Sequence, residues 1–255
     1  MQTHSNTILI TGGGSGIGRA LAEAFHALGN QVIIAGRRKP LLDEVAAANP
    51  GMRAAVLDIE DPVAISDFAA QLVADFPQLN AIIHNAGVMR DESVQSGELD
   101  AAEATVAINL LGPIRLTAAL LPLLLAQPSA TILTVSSGLA FVPLALTPTY
   151  SATKAAIHSY TQSLRYQLKS TLVQVIELIP PYVQTELQGA RQATDPNAMP
   201  LKDYIHDTMQ ILSATPDVTE VIIERVKPQR FAEARGEHDA FFTRMNDARS
   251  ASQPH

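Results

Sequence analysis

The chain of 255 residues contains no cysteine. That absence excludes disulfide frameworks and thiolate metal sites, and it suits a reducing cytoplasm, which is the expected location. Positive charge is also in short supply. Lys and Arg number 18 against 25 Asp and Glu, leaving a formal net charge of −7. Nucleic-acid binders normally carry a basic face, so that class is set aside. Long apolar runs are scarce too. The strongest, Leu116 to Ala126, is broken by Pro122, follows Arg115 and falls short of the ~20 residues a membrane span needs. It reads as a buried core helix. The polar stretch Met1 to Thr7 lacks the charged and apolar regions of a secretory signal. Two further patterns are missing: a G-x-S-x-G elbow of the serine hydrolases, and an HxxxH pair or carboxylate cluster of ligand spacing. No metal site is expected.

What is present is a chain 47% apolar, enough for one large core. Short β-branched runs, Thr7–Thr11, Gln31–Ala35, Arg53–Leu57, Ala81–His84, Thr131–Val135 and Val173–Ile179, read as strands. Helical patterns lie between them: Ile17–Leu28, Pro40–Ala48, Pro62–Phe76, Ala101–Ala126 and Tyr150–Leu168. The strands are almost continuously apolar, as expected when helices cover both faces of a parallel sheet. The fold class is therefore α/β, a doubly wound parallel sheet (Rossmann-like) in three αβα layers, forming a single domain over residues 1–247. After Ile179 the rhythm breaks into an irregular stretch reaching about Pro216. Helical patterns resume at Val218–Val226 and Asp239–Met245, and residues 248–255 are expected to be a disordered tail.

Ligands in such sheets sit outside the carboxyl ends of the strands, where strand order reverses. The first strand ends in Thr11-Gly12-Gly13-Gly14-Ser15-Gly16-Ile17-Gly18 and opens a helix. Glycines let a backbone turn sharply and come close to a pyrophosphate, and the free N–H groups of a helix start favour negative charge. The second strand ends in Ala35-Gly36-Arg37-Arg38, with no acidic residue to hold ribose hydroxyls. Arginine there accommodates a 2′-phosphate, which favours NADP over NAD.

Tyr150 and Lys154 stand at i and i+4 behind Thr147-Pro148, a helix start with an N-cap and a first-turn proline. They then share one face, and the ammonium is expected to lower the phenol pKa and make it a usable acid. Ser136-Ser137 follows the strand Thr131–Val135, where a hydroxyl could polarise a substrate oxygen. Pro113, four residues after Asn109, cannot donate to the Asn109 carbonyl and is expected to kink the helix there, freeing a carbonyl that could hold a water.

These motifs, in this order, resemble the short-chain dehydrogenase/reductase family over roughly residues 6–190. The matching pieces are TGGGSGIG at 11–18, LDI at 57–59, HNAG at 84–87 and NLLG at 109–112. VSS at 135–137, YSATK at 150–154 and PPYVQT at 180–185 complete the set. The resemblance implies an NAD(P)-dependent oxidoreductase acting on CH–OH or C=O groups. By position it implies that Tyr150 is the general acid/base, Ser137 orients the carbonyl, Lys154 holds the nicotinamide ribose, and Asn109 completes the tetrad through a water. It implies further that the cofactor is met by Gly12, Gly14, Ser15, Gly16, Ile17, Gly18, Arg37 and Arg38. Asp58 and Ile59 would border the adenine, Asn85, Ala86 and Gly87 would line the adenosine ribose, and Pro180, Val183 and Thr185 would lie towards the carboxamide, beside Tyr150 and Lys154. A homodimer through the helix of Tyr150 is implied as well.

The chain departs from the family in two places. His84 stands where Asn is common, and reads as a packed imidazole. Gly236 is the only glycine after Gly189, whereas many relatives end in a glycine-rich strand. Six strands with a helical tail over 230–246 are therefore expected, and the ending resembles that of a DltE-like subgroup. Residues 186–215 are expected to form a substrate lid. Leu187, Met199, Leu201, Tyr204 and Met209, with Phe141 and Val142, line an apolar pocket or simply pack the loop. The alternative to an enzyme is a dinucleotide-binding sensor that keeps the fold without turnover. The substrate has no signature in the sequence.

Overall fold

The computed structural model describes residues 1–251. Seven parallel strands form one sheet in the order β3-β2-β1-β4-β5-β6-β7. In chain order they are β1 (Thr7–Thr11), β2 (Gln31–Gly36), β3 (Arg53–Val56), β4 (Ala81–His84), β5 (Ala130–Val135), β6 (Val173–Leu178) and β7 (Glu220–Val221). The principal helices are α1 (Gly16–Ala27), α2 (Lys39–Ala48), α3 (Pro62–Asp75), α4 (Asp100–Val106), α5 (Gly112–Ala126) and α6 (Pro148–Gln167). The later part adds α7 (Ala190–Thr194), α8 (Leu201–Ala214), α9 (Lys227–Arg230) and α10 (His238–Ala251). The three-layer, doubly wound α/β arrangement is the one the strand and helix alternation predicts.

Alternation along each strand explains the apolar runs. Leu9, Ile33, Ile82, Ile132 and Val175 face a core shared with Leu116, Leu120 and Leu124 of α5 and Leu164 of α6. Ile8, Ile10, Val32, Ile34, Ile83, Leu133 and Ile176 face the opposite core with Leu21 and Phe25 of α1, Leu42 of α2 and Leu212 of α8. Successive side chains point to opposite faces, and in the inner strands both faces are covered, so almost every position is apolar; the edge strand β3 is largely exposed. The run Asp100–Ala126 is long and apolar enough to cross a membrane by length and composition. Its Leu116, Leu120 and Leu124 are fully buried in the first core, which accounts for that composition.

Several expectations differ from what is found. The stretch after Ile179 is not irregular throughout, because α8 (Leu201–Ala214) is a 14-residue helix inside it that buries Tyr204, Thr208 and Leu212. The stretch 218–226 is not a helix. It holds the two-residue strand β7, hydrogen-bonded through Glu177 N to Thr219 O and Ile179 N to Val221 O, and then a single tight turn, Glu224–Val226. The sheet thus has its seventh strand, without a glycine. Val221, Ile223 and Val226 are buried, and their 2- and 3-residue spacing fits a strand followed by a turn as well as it fits a helix. The C-terminal helix α10 runs to Ala251, past Asp247; residues 252–255 lie outside the described residues. Between α4 and α5 the helix is widened. Ala107–Leu111 forms a π turn, and the Gly112 N–H donates to the Ala107 carbonyl five residues back. Pro113 supplies no N–H, and the chain absorbs the missing bond by adding a residue to the turn.

Candidate active site

The chain runs β1 to β2 to β3, then returns to the other side of β1 as β4. Helices diverge at that reversal and open a crevice at the carboxyl ends of β1 and β4. Two side chains tie the crevice floor together. The Thr11 hydroxyl donates to Ile83 O (3.3 Å) and accepts from Asn85 N and Ala86 N (3.1 Å each). Asn85 Nδ2 in turn donates to Thr11 O at 3.0 Å.

The glycine-rich turn lies against this floor. Gly12 takes φ +69°, and a methyl group on it would stand 2.9 Å from Ala86 Cα. A methyl group on Gly18 would meet Asn85 Nδ2 at 2.3 Å and Gly12 O at 2.4 Å, so α1 reaches the strands only because both positions are bare. Gly14 packs near Leu41, and Gly16 lies under Thr185, 3.5 Å from where a methyl would sit. Ser15 caps α1 with its backbone, and its side chain makes no cap bond. The first N–H groups of α1, on Gly16, Ile17 and Gly18, have no intrahelical partner. A bare turn at a helix start beside the sheet's reversal fits a dinucleotide pyrophosphate.

The two arginines after β2 part company. Arg38 Nη2 donates to Ser15 Oγ at 2.7 Å, converging on the turn. Arg37 instead reaches Glu60, 4.0 Å away. Asp58 accepts from Glu60 N (3.1 Å) after β3, and buried Ile59 packs against Gly112.

On the other side of the crevice, β5 delivers Ser136 and Ser137, and α6 delivers Tyr150 and Lys154. Pro148 occupies the first turn of α6 as expected. The expected Thr147 side-chain cap is absent. Instead the Ser151 hydroxyl donates to Thr147 O and accepts from Leu144 N. Lys154 Nζ donates to Val135 O at 2.7 Å and lies 5.5 Å from the centre of the Tyr150 ring. Asn109, in the π turn, is clasped by Val88: its Oδ1 accepts from Val88 N and its Nδ2 donates to Val88 O, both 2.9 Å. The same Nδ2 donates to Thr153 Oγ1 at 3.3 Å. A methyl group on Gly87 would stand 3.2 Å from Asn109 Oδ1 and 3.8 Å from Lys154 Nζ. The ends of β4, β5, the π turn and α6 thus meet at one point.

The electrostatics reverse one expectation. Burial pushes the Tyr150 phenol up to about 12, and the hydrogen bond with Ser137 acts the other way without prevailing. Lys154 does not pull the phenol down. Its own ammonium is buried and is brought to about 8, with the charge of Glu177 opposing the fall. Desolvation weakens the very charge that was expected to do the lowering.

The segment after β6 folds back over the turn. Pro180 O accepts from Gly138 N at 2.9 Å, next to Ser137. Val183 is buried and bridges to Met199, and Thr185 sits above Gly16. The buried Gln192 ties this segment together: its Nε2 donates to Val183 O (2.8 Å) and Thr185 Oγ1 (3.1 Å), and its Oε1 accepts from Gln188 N; Gln184 Nε2 adds a bond to Asp195 O at 3.1 Å. Met199 and Tyr204 pack with Ile179, Val183, Ile223 and Val226 in a third core, so the packing reading holds for them, while Leu187 is exposed.

Several contributors escape sequence reasoning. Gln192 stands in a polar stretch indistinguishable from loop. Asn246 of α10 spans some 100 residues to the loop between Ser137 and Tyr150, accepting from Ala145 N (2.6 Å) and donating to Pro143 O (3.2 Å). Glu177 is fully buried beneath Ser136, and its neighbours His158 and Glu220 bring ligand-type atoms within 4.8 Å of one another. A glutamate inside the run VQVIELI was the one available signal. His84 is a packed imidazole, with Nε2 2.8 Å from Thr117 Oγ1.

Comparison with known proteins agrees with this geometry. The family model for short chain dehydrogenase matches residues 6–196. The chain is 36% identical over 251 residues to the uncharacterized oxidoreductase DltE of Bacillus subtilis (strain 168), spanning 96% of this chain and 98% of that one. A short chain dehydrogenase from Burkholderia cenocepacia in complex with NADP has a TM-score of 0.80 at 24% identity, covering 95% of this chain and 99% of its own. A Burkholderia phymatum short chain dehydrogenase/reductase in complex with NAD has a TM-score of 0.81 at 19% identity, covering 93% and 96%. The shared fold, the motif order and the convergence of Ser137, Tyr150, Lys154 and Asn109 lead to one conclusion: this chain belongs to the short-chain dehydrogenase family of oxidoreductases.

Proposed function

We propose that the chain is an NADP-dependent carbonyl reductase, or in the reverse sense an alcohol dehydrogenase, with Tyr150 as its general acid/base. The observation that carries this reading is the meeting of Tyr150, Ser137 and Lys154 across the crevice from a bare glycine turn. A bound nicotinamide dinucleotide supplies or accepts the hydride at the substrate carbon. The glycine turn and the α1 N-terminus would hold its pyrophosphate, and Arg38 beside Ser15 would meet a 2′-phosphate. Arg37, engaged by Glu60, contributes less. Pro180, Val183 and Thr185 lie where the segment after β6 closes over the turn.

The chemistry then falls to the chain's own side chains. Ser137 Oγ donates to the substrate oxygen and fixes the carbonyl. Tyr150 gives its proton to that oxygen as the bond to hydrogen forms at carbon, and takes it back in the oxidative direction. Lys154 replenishes the phenol's proton, and Asn109, held in the π turn by Val88, would complete the relay through a water. The phenol is protonated at neutral pH, as an acid in the reductive direction must be, and its burial makes it a weaker donor than an exposed phenol. Residues 186–215 serve as the substrate lid, and a cytoplasmic homodimer through α6 accompanies this reading; exposed Tyr166 on that helix is consistent with it.

The test is a panel of ketones, aldehydes and alcohols with NADPH and NADH, followed by nicotinamide absorbance. Turnover with NADPH is expected, and Tyr150→Phe should lower kcat by ~10²–10⁴-fold with cofactor binding retained. Turnover that survives Tyr150→Phe removes the proposed acid. Tight cofactor binding with no turnover on any substrate would favour the sensor reading.

A further inference from the structure

A carboxylate lies beneath the reaction centre with no role in the chemistry just described. Glu177 is wholly inaccessible to solvent, one residue from the carboxyl end of β6. Its Oε1 accepts from Ser136 Oγ at 2.5 Å, and its Oε2 lies 2.8 Å from His158 Nδ1. Ser136 immediately precedes Ser137, so the two hydroxyls leave opposite faces of the strand end. One addresses the crevice and the other the carboxylate. His158 follows Lys154 by four residues and Tyr150 by eight, so phenol, ammonium and imidazole run along one side of α6. Glu177 thus holds both the strand that carries Ser137 and the helix that carries Tyr150 and Lys154.

A carboxylate sealed from water is costly without positive charge nearby. The charged and titratable groups around it are Lys154 and His158 on α6, Glu220 on β7 and Arg230 on α9, with Tyr150 beyond Lys154. Arg230 is committed elsewhere: it grips Glu220 through two bonds of 2.9 and 3.1 Å and stacks on Phe141 at 4.6 Å. Phe141 in turn meets His158 edge-on at 4.7 Å. Arg230 therefore neutralises Glu220 and leaves the Lys154 ammonium as the opposite charge open to Glu177. Lys154 has the complementary need, since its ammonium is buried and donates to the neutral carbonyl of Val135.

We propose that Glu177 is a positioning residue of this oxidoreductase. Its carboxylate, pinned by Ser136 and His158, is the counter-charge that keeps the buried Lys154 ammonium protonated beside Tyr150 through neutral pH. Burial alone drives Lys154 down, and the attraction of Glu177 is the force that opposes it. The consequence for turnover rests on the proposed roles of Tyr150 and Lys154, whereas the charge coupling needs no substrate.

The test reads Lys154 directly. In protein labelled with ¹³C at lysine Cε, assigned with Lys154→Met, the Lys154 signal should titrate near pH 8. In Glu177→Gln, which keeps the shape and loses the charge, the midpoint should fall by about one pH unit or more. Glu177→Asp should restore most of it. On any substrate found with the panel, the basic limb of the kcat–pH profile should move acidward by the same amount, with little change in KM. A folded Glu177→Gln whose Lys154 midpoint stays within a few tenths of a unit overturns the proposal, even if activity is lost. Should the variant not fold, the unsubstituted protein decides: the Glu177 carboxyl carbon must show its ionised shift at pH 7, and a protonated carboxyl overturns the proposal. A protein with the shift but no carbonyl turnover sinks the reductase reading and leaves the coupling standing.

Discussion

At the scale of single residues, burial outweighs neighbouring charge. Tyr150 and Lys154 titrate against the direction that their spacing alone implies, because both are sealed from water. His84 shows the same effect with a measurable result. Burial brings its imidazole from 6.5 to about 3, so it stays neutral in the fold while the unfolded chain protonates. As pH falls below 6.5 the unfolded state binds the extra proton, and stability drains until about pH 3. Between pH 7 and pH 5 the loss from this one group is about 2 kcal/mol. His84→Asn should remove that share of the acid sensitivity. Urea midpoints of both proteins across this range check it, and parallel pH slopes would show that His84 is not the source. The Tyr150–Lys154 pair, Ser137 and the glycine turn were legible in the sequence because each is a local spacing at a strand end. Glu177, His158 and Gln192 were not. Their partners come from other elements, and only the tertiary fold reveals which polar groups are buried together.

Individual elements follow the sequence where periodicity is long, and depart from it where one residue decides the hydrogen bonding. Strands β1 to β6 lie where the apolar runs place them. The π turn at Ala107–Leu111 lies just before Pro113, whose position was legible while the wider turn was not. Two-residue β7 is too short for alternation to register. Helix α10 reads as a tail, yet Asn246 fastens it to the loop between Ser137 and Tyr150 through Ala145 N and Pro143 O. Asn246→Ala should release that loop at a cost of about 1–2 kcal/mol. Under the proposed function KM for the carbonyl substrate should rise several-fold, while cofactor binding is unchanged. A steady-state comparison separates the two, and an altered cofactor affinity with normal substrate KM would contradict the clamp.

For the molecule as a whole, the sheet order 3-2-1-4-5-6-7 sets the glycine turn and Tyr150 on facing sides of the point where strand order reverses. The doubly wound parallel class was legible from strand and helix alternation, whereas the strand order was not, because the same alternation fits more than one doubly wound order. A ligand that binds only the folded state raises its stability with concentration, by about 2.7 kcal/mol at a hundredfold excess over Kd. NADPH should therefore shift the urea midpoint upward, and more than NADH at equal concentration. Arg38→Ala should abolish the difference, because its guanidinium reaches Ser15 at the turn. Equal shifts by the two nucleotides in the unsubstituted protein would refute the assignment of Arg38 to a 2′-phosphate.

The sill of the crevice, where Thr11 and Asn85 lace two strands at four points, has no slack. The opposite jamb is joined by the Gln192 amide, the bridge between Val183 and Met199, and Gln184, whose Nε2 donates to Asp195 O. Under the proposed function, motion of that jamb would set the pace of admission some distance from where bonds are made and broken.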